Sequence, residues 1–386
     1  MKKIWIWVLI IATAAGLGIF ILYPHPEQQA ASDLKSLPVV VQEQGFSRAE
    51  GQRPFSFPQD FGPHPDYQTE WWYYTGNLST TDGRNFGYQL TFFRRALLPE
   101  PEVPRRASDW AVNQVYLAHF TLTDVQSGKF HYFERFARGA AGLAGAVVEP
   151  NYQVWLDNWS VNQDSSGIYH LQAEYDDLEI KFDMTDLKGP ILEGIGGYSQ
   201  KGPEPGNASY YFSQPRLETN GIMTIGGQTF TVAGTSWMDH EFSTSALSKD
   251  QVGWDWFSLQ LSDGSELMVY VMRQSDGSAD AYSSGIVIHP DGSTRRLTPM
   301  DYQITPQAYW KSPHSGAVYP AEWKVEVPSE NIDLIVKPRL ADQELRVSFT
   351  YWEGAVAISG SHAGQPVVGS GYVELTGYAK SMQGQF

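Results

Sequence analysis

Residues 69–78, T-E-W-W-Y-Y-T-G-N-L, set four large aromatics in a row behind a carboxylate, Glu70. On an extended strand successive side chains point to opposite faces, so Glu70, Trp72 and Tyr74 share one face while Trp71 and Tyr73 share the other. Neither face is suited to water. A strand of this kind must be covered on both sides, which favours a sheet that wraps a core on one face and packs against a second layer on the other.

The rest of the chain has the same texture. Segments such as GYQLTFFRR, VYLAHFTLTD, YQVWLDNWSV, HLQAEYDDLEIKF, MTIGGQTFTVAG, ELMVYVMR and GYVELTGY alternate aromatic or β-branched residues with polar ones, and D-G, S-G and G-G pairs cut them at short intervals. Few long segments carry a helical period. The sequence therefore predicts an all-β chain of barrels or sandwiches.

The opening stretch recurs. Trp71, Tyr73, Tyr74 and Thr75 fall on Trp254, Trp256, Phe257 and Ser258 at an offset of 183 residues, and once a two-residue gap is closed Asp82-Gly83 meets Asp263-Gly264. Each copy reads as an aromatic strand, a tight turn and a return strand. With 386 residues, 42% of them apolar, there is material for two cores. The expected organisation is two tandem β-barrels, residues 56–240 and 241–386, each of about eight strands.

Ahead of them, two lysines precede an uncharged run from Ile4 to Tyr23, which as a helix at ~1.5 Å per residue would span ~30 Å of hydrocarbon. Residues 1–23 are expected to act as a signal anchor in the cytoplasmic membrane, with a cleaved signal peptide as the alternative, and residues 24–55 as a tether. The body would then be exported: anchored and facing the periplasm, or soluble periplasmic or secreted if cleaved.

Other features exclude whole classes of chemistry. A formal charge of −16 argues against nucleic acid as a partner. The absence of cysteine removes disulfides, thiolate metal sites and cysteine nucleophiles. No G-x-S-x-G elbow, H-E-x-x-H motif or Gly-rich phosphate loop is present, so no cofactor and no metal site is expected from the sequence.

HPDYQTEWWYYTGNL, GYQLTFF, AHFTLTD, SYYFSQPRL, GTSWMDHEFS, GWDWFSLQLSDGSELMVYVMR and GYVELTGY, in this order from about residue 60 to 380, resemble the carotenoid 1,2-hydratase/AttH-like family. The resemblance implies two fused lipocalin-like barrels and a lipophilic ligand. It also raises a reaction, the addition of water to an isoprenoid double bond. That reaction needs an acid able to protonate carbon, aromatic faces to stabilise a carbocation, and a path for water.

Three residues are candidates for the acid-base work. In GWDWFSLQL, Asp255 heads an apolar face with Phe257, Leu259 and Leu261, where burial would keep its carboxyl protonated; alternatively it holds an arginine. In GTSWMDHEF, His240 would relay a proton beside Asp255 or Asp239 would orient a water; alternatively this is a hydrogen-bonded cluster at the domain junction. Glu70 is either a second acid or a polar anchor for a ligand, or else the partner of a buried arginine, with Arg94 and Arg95 within reach. Trp71, Trp72, Tyr74, Trp237, Trp254 and Trp256 are the expected aromatic lining. Two functions stay open: a hydratase acting on a lipophilic substrate, and a non-catalytic lipid carrier serving a membrane transporter.

Overall fold

The computed structural model describes residues 44–99, 102–103, 112–244 and 247–384. The expected anchor, and the tether up to residue 43, lie outside the described residues. Among those described, no helix is long and apolar enough to cross a membrane.

The first sheet has thirteen strands: β1 (Thr69–Ser79), β2 (Asn85–Ala96), β3 (Gln114–Asp124), β4 (Lys129–Arg138), β5 (Ala144–Val147), β6 (Gln153–Leu156), β7 (Trp159–Gln163), β8 (Tyr169–Tyr175), β9 (Leu178–Asp186), β10 (Ile191–Leu192), β11 (Tyr198–Gln200), β12 (Ala208–Ile225) and β13 (Gln228–Ser243). The second has ten: β14 (Gln251–Leu261), β15 (Glu266–Gln274), β16 (Ser284–Ile288), β17 (Thr294–Leu297), β18 (Gln303–Lys311), β19 (Val318–Val327), β20 (Ile332–Pro338), β21 (Glu344–Arg346), β22 (Thr350–His362) and β23 (Gln365–Leu375).

The two strand orders follow one pattern, over eleven strands in the first sheet and nine in the second. The first sheet runs β4-β3-β2-β1-β13-β12-β9-β8-β7-β6-β5, the second β17-β16-β15-β14-β23-β22-β20-β19-β18. In each, the aromatic strand pairs with its hairpin partner on one side and the last strand of the sheet on the other. The two hairpin turns also match: Gly83 and Gly264 both have φ of +86°, a left-handed conformation that glycine adopts without steric cost. The first sheet curls until its edges approach, with β4 packing on β6, and the second curls around an apolar core of its own, so the architecture is two near-closed lipocalin-like barrels in an all-β chain.

Alternation along the strands then sorts the aromatics. Trp72, Tyr74, Phe92, Phe120, Trp159 and Phe212 fill the first barrel, and Phe257, Leu259, Leu261, Trp323 and Trp352 fill the second. A third core forms where the outer faces meet: Tyr73, Tyr211 and Trp237 of the first barrel pack with Trp256, Met268, Tyr270 and Tyr372 of the second. Polar contacts cross the same seam, including Asn77 Nδ2 to the Gly371 carbonyl at 2.8 Å and Lys188 and Arg216 clasping Glu266 from either side, each at 2.5 Å.

Two sequence boundaries move. Residues 241–243, expected at the start of the second domain, continue β13, where Glu241 is in register with Trp71 and Tyr211. Residues 44–55 are not a free tether. Ala49 is fully buried against a cluster with Ala208, Tyr210 and Phe242, and Phe55 packs there too.

A candidate active site between the barrels

The expected site residues separate by face. β1 directs Trp71 and Tyr73 out of the first barrel toward the second, and β13 directs Asp239 and Glu241 the same way. From the second barrel β14 contributes Trp254 and Trp256, and β23 contributes Glu374. With Phe93, Lys201, Tyr211, Tyr270, Met272 and Phe349 these residues line a cleft at the seam. Its walls are largely aromatic, and its charged or acidic side chains are three carboxyls and one lysine, beside the hydroxyls of Thr69, Ser243 and the tyrosines.

Asp239 is the most embedded of these acids. It is 4% exposed and accepts three hydrogen bonds, from Ser213 Oγ, Tyr211 Oη and Trp237 Nε1, each at 2.6 Å. Burial raises its carboxyl, the three donors pull it back, and the balance leaves it at about 7. Tyr211 in turn accepts from Trp256 Nε1 at 3.1 Å, so the second barrel helps to hold the acid of the first.

Glu374 is the counterpart on the opposite wall. Trp254 Nε1 donates to its Oε2 at 2.8 Å; burial is again the main cause of a carboxyl raised to about 7, with the charges of Asp239 and Glu241 adding to it. Directly across the ladder from Glu374 on β22 stands Glu353, fully buried, with the Tyr73 hydroxyl donating to it at 2.8 Å. Burial and the neighbouring Glu374 lift Glu353 well above the carboxylate range. Glu241 differs: Lys201 Nζ lies 3.1 Å away, and that ammonium also sits over the Tyr270 ring at 4.0 Å.

Several sequence expectations are corrected here. Asp255 does not reach the cleft. It turns the other way from Trp254 and Trp256, accepts from Arg273 Nε at 2.9 Å and Tyr378 Oη at 3.0 Å, and so plays the structural part of holding an arginine. Phe257, Leu259 and Leu261 on its face belong to the packed apolar interior of the second barrel. His240 is not beside Asp255; it points into the first barrel, Nε2 2.8 Å from Glu70. Burial lowers the His240 pKa, which favours the neutral ring.

Glu70, Trp72 and Tyr74, expected to bind ligand, belong to that same barrel interior and are fully buried. Burial alone would raise the Glu70 carboxyl, but Arg94, His240 and His64 outweigh it and hold it well below the usual range. Arg94 Nε reaches Glu70 at 2.8 Å and His64 Nδ1 at 2.7 Å. By distance His64, Glu70 and His240 also qualify as a metal-ion grouping. Their facing atoms are already hydrogen-bonded to one another, and the buried Arg94 places a permanent cation on the same carboxylate, so we assign the cluster to the barrel core.

Of the sequence candidates, the structure thus brings Trp71, Trp254, Trp256 and Asp239 together, with Trp237 behind Asp239. Glu374, Glu241, Lys201, Tyr211 and Tyr73 are the cleft residues not singled out beforehand as site residues. The signal for Glu374 was present in GYVELTGY, where alternation pairs it with Tyr372 against the apolar Val373 and Leu375.

Two lipocalin-like barrels enclosing an aromatic, acid-lined cleft define the class of protein. The sequence matches the AttH-like family over residues 48–378, and the chain belongs to that family. A crystal structure of a protein from Nitrosomonas europaea described as an AttH superposes with a TM-score of 0.75 at 34% identity, covering 86% of this chain and 100% of the other. The dehydratase asqC of Emericella nidulans is 21% identical over 293 residues, 69% of this chain and 72% of that protein. Kievitone hydratase of Nectria haematococca shares the fold, with a TM-score of 0.63 at 16% identity over 89% of this chain and 99% of its own.

Proposed function

We propose that the cleft between the barrels carries out acid-base addition or removal of water on a lipophilic ligand. The observation that carries this reading is the pair Asp239 and Glu374: two carboxyls on opposite walls, both poised at about 7 inside an aromatic chamber. A general acid or base is most effective when its pKa lies near the working pH.

In the direction of hydration, Asp239 gives its proton to an alkene carbon, and the electron pair of the double bond forms the new C–H bond. Tyr211, Ser213 and Trp237 then stabilise the carboxylate left behind. The cation on the neighbouring carbon lies among the faces of Trp71, Tyr73, Trp254 and Trp256, which stabilise positive charge without offering a nucleophile. Glu374, with one indole donor and partial exposure, takes the proton of the water that adds. Dehydration is the same path in reverse: Glu374 gives its proton to the hydroxyl, the C–O bond breaks to release water and leave the cation, and the Asp239 carboxylate takes the proton of the adjacent carbon while the C–H electron pair forms the double bond.

The names of the dehydratase and hydratase relatives support this choice of chemistry, and the apolar walls support a lipophilic substrate. Incubating the protein with isoprenoid alkenes and reading one added water by mass spectrometry tests it, with Asp239→Asn and Glu374→Gln as the variants expected to fail. As part of the same proposal, residues 1–23 export the barrels and anchor them facing the periplasm. N-terminal sequencing from the membrane fraction checks that arm: a retained Met1 supports an anchor, and a start near Ala31 in the soluble fraction refutes it.

A further inference from the structure

Ser213 on β12 stands between two carboxyls. Its Oγ is 2.6 Å from Asp239 Oδ1 and 2.9 Å from Glu193 Oε1. A hydroxyl has one proton and can donate it to only one of them, so the other contact requires a carboxyl O–H donating to the serine oxygen.

The surroundings decide which carboxyl keeps a proton. Asp239 has two further donors, Tyr211 and Trp237, both of which favour its ionised form. Glu193 is fully buried, and its Oε2 has no hydrogen-bond partner among the described residues. Burial and the charges of Asp239 and Glu241 push its carboxyl well above the usual range, against the opposing pull of the Ser213 contact and of Lys201, whose ammonium is engaged with Glu241 at 3.1 Å. The backbone fixes this placement. The Glu193 N–H donates to the Tyr211 carbonyl at 3.0 Å, and Gly194 follows at φ +62°, where an added Cβ would lie 2.3 Å from the Tyr198 carbonyl oxygen.

We propose that Glu193 is a positioning residue for the cleft: its carboxyl O–H donates to Ser213, which turns the single serine proton onto Asp239 and so sets the strength of Asp239 as an acid. The inference rests on Asp239 as proton donor but can be tested apart from it. Glu193 does not itself pass on its proton, because a neutral Glu193 beside an ionised Asp239 is the stable arrangement.

The Trp237 indole N–H, hydrogen-bonded to Asp239, serves as the probe: its nitrogen and proton shifts, followed by NMR across neutral pH in the intact protein, report the Asp239 midpoint. Ser213→Ala removes a donor to the carboxylate, and a hydrogen bond to a charged group of about 1.5–3 kcal/mol corresponds to a rise of roughly one to two pKa units. Glu193→Leu moves the midpoint in the same direction. Glu193→Gln, neutral and still able to donate to Ser213, leaves it in place. Infrared spectra taken well above the midpoint should also show a protonated carboxyl C=O band that weakens in Glu193→Gln. A lowered Asp239 midpoint in Glu193→Gln, or an unchanged infrared band, would mean that Glu193 is ionised and overturn the inference. Full turnover by Asp239→Asn would instead remove the proposed reaction while leaving these titrations intact.

Discussion

The indole of Trp254 donates to Glu374 at 2.8 Å, binding an aromatic of β14 to an acid of β23, while the next residue along, Asp255, faces the opposite side of the same sheet. Trp237 stands to Asp239 as Trp254 stands to Glu374, with a donor distance of 2.6 Å. Each barrel thus supplies the cleft with an acid that accepts from an indole two strand positions away or on the neighbouring strand, alongside Glu241 from the first barrel.

This pairing makes the two acids visible to spectroscopy. The side-chain N–H resonances of Trp237 and Trp254 should each titrate with a midpoint at about 7. Asp239→Asn abolishes the first titration and Glu374→Gln the second. Two flat indoles across neutral pH would show that neither carboxyl titrates there.

The same carboxyls tie stability to pH. A carboxyl raised from its ordinary 3.8 to about 7 keeps its proton in the folded state after the unfolded chain has lost its own. Stability therefore falls as pH rises through this window, and the full cost is present above about 7. Asp239→Asn removes the effect, so denaturant titrations should show the variant gaining on wild type by up to about 4 kcal/mol across the window, at about 1.4 kcal/mol per pKa unit. A constant difference at every pH would contradict it.

Most of the fold could be read in the sequence, and the site only in part, for a physical reason. Period-two alternation says which residues share a face, and the matching hairpins at Trp71 and Trp254 gave away the duplication. Alternation does not say which face is a packed interior and which a seam. Asp255 shares a face with Phe257, Leu259 and Leu261, a pattern that reads as a dry pocket but is the filled core of the second barrel. Alternation alone does not mark Glu374 as a buried acid, because the groups around it come from elsewhere: Trp254 lies 120 residues earlier, and Asp239 belongs to the other barrel. Glu70 is legible together with its partner, since Arg94 lies opposite it in the β1–β2 hairpin.

Glu70 should matter for folding rather than for chemistry. Glu70→Leu leaves Arg94, 1% exposed, as a buried cation without its carboxylate, and breaking a buried pair in this way costs about 3–5 kcal/mol. Equilibrium unfolding should show that loss, whereas a drop in turnover with unchanged stability would place Glu70 in the chemistry.

The seam is close-packed at Gly87, where an added Cβ would lie 2.4 Å from the Cβ of Ala355 in the other barrel. Gly87→Val should push the barrels apart, at a cost of about 1–3 kcal/mol for overpacking. Ala355→Gly in the same chain should recover part of it. Additive effects of the two substitutions would mean that the residues do not meet.

Water incorporation tests the central claim most directly. Wild type, Asp239→Asn, Glu374→Gln and Asp255→Asn are incubated with an isoprenoid alkene in oxygen-18 water, and product is counted by mass spectrometry. The two acids of the cleft are predicted to be needed, each substitution lowering the rate by roughly 10² to 10⁴, while folded Asp255→Asn keeps turning over. Undiminished labelling by Asp239→Asn and Glu374→Gln, loss confined to Asp255→Asn, or no labelling by wild type would contradict the assignment of water chemistry to the cleft.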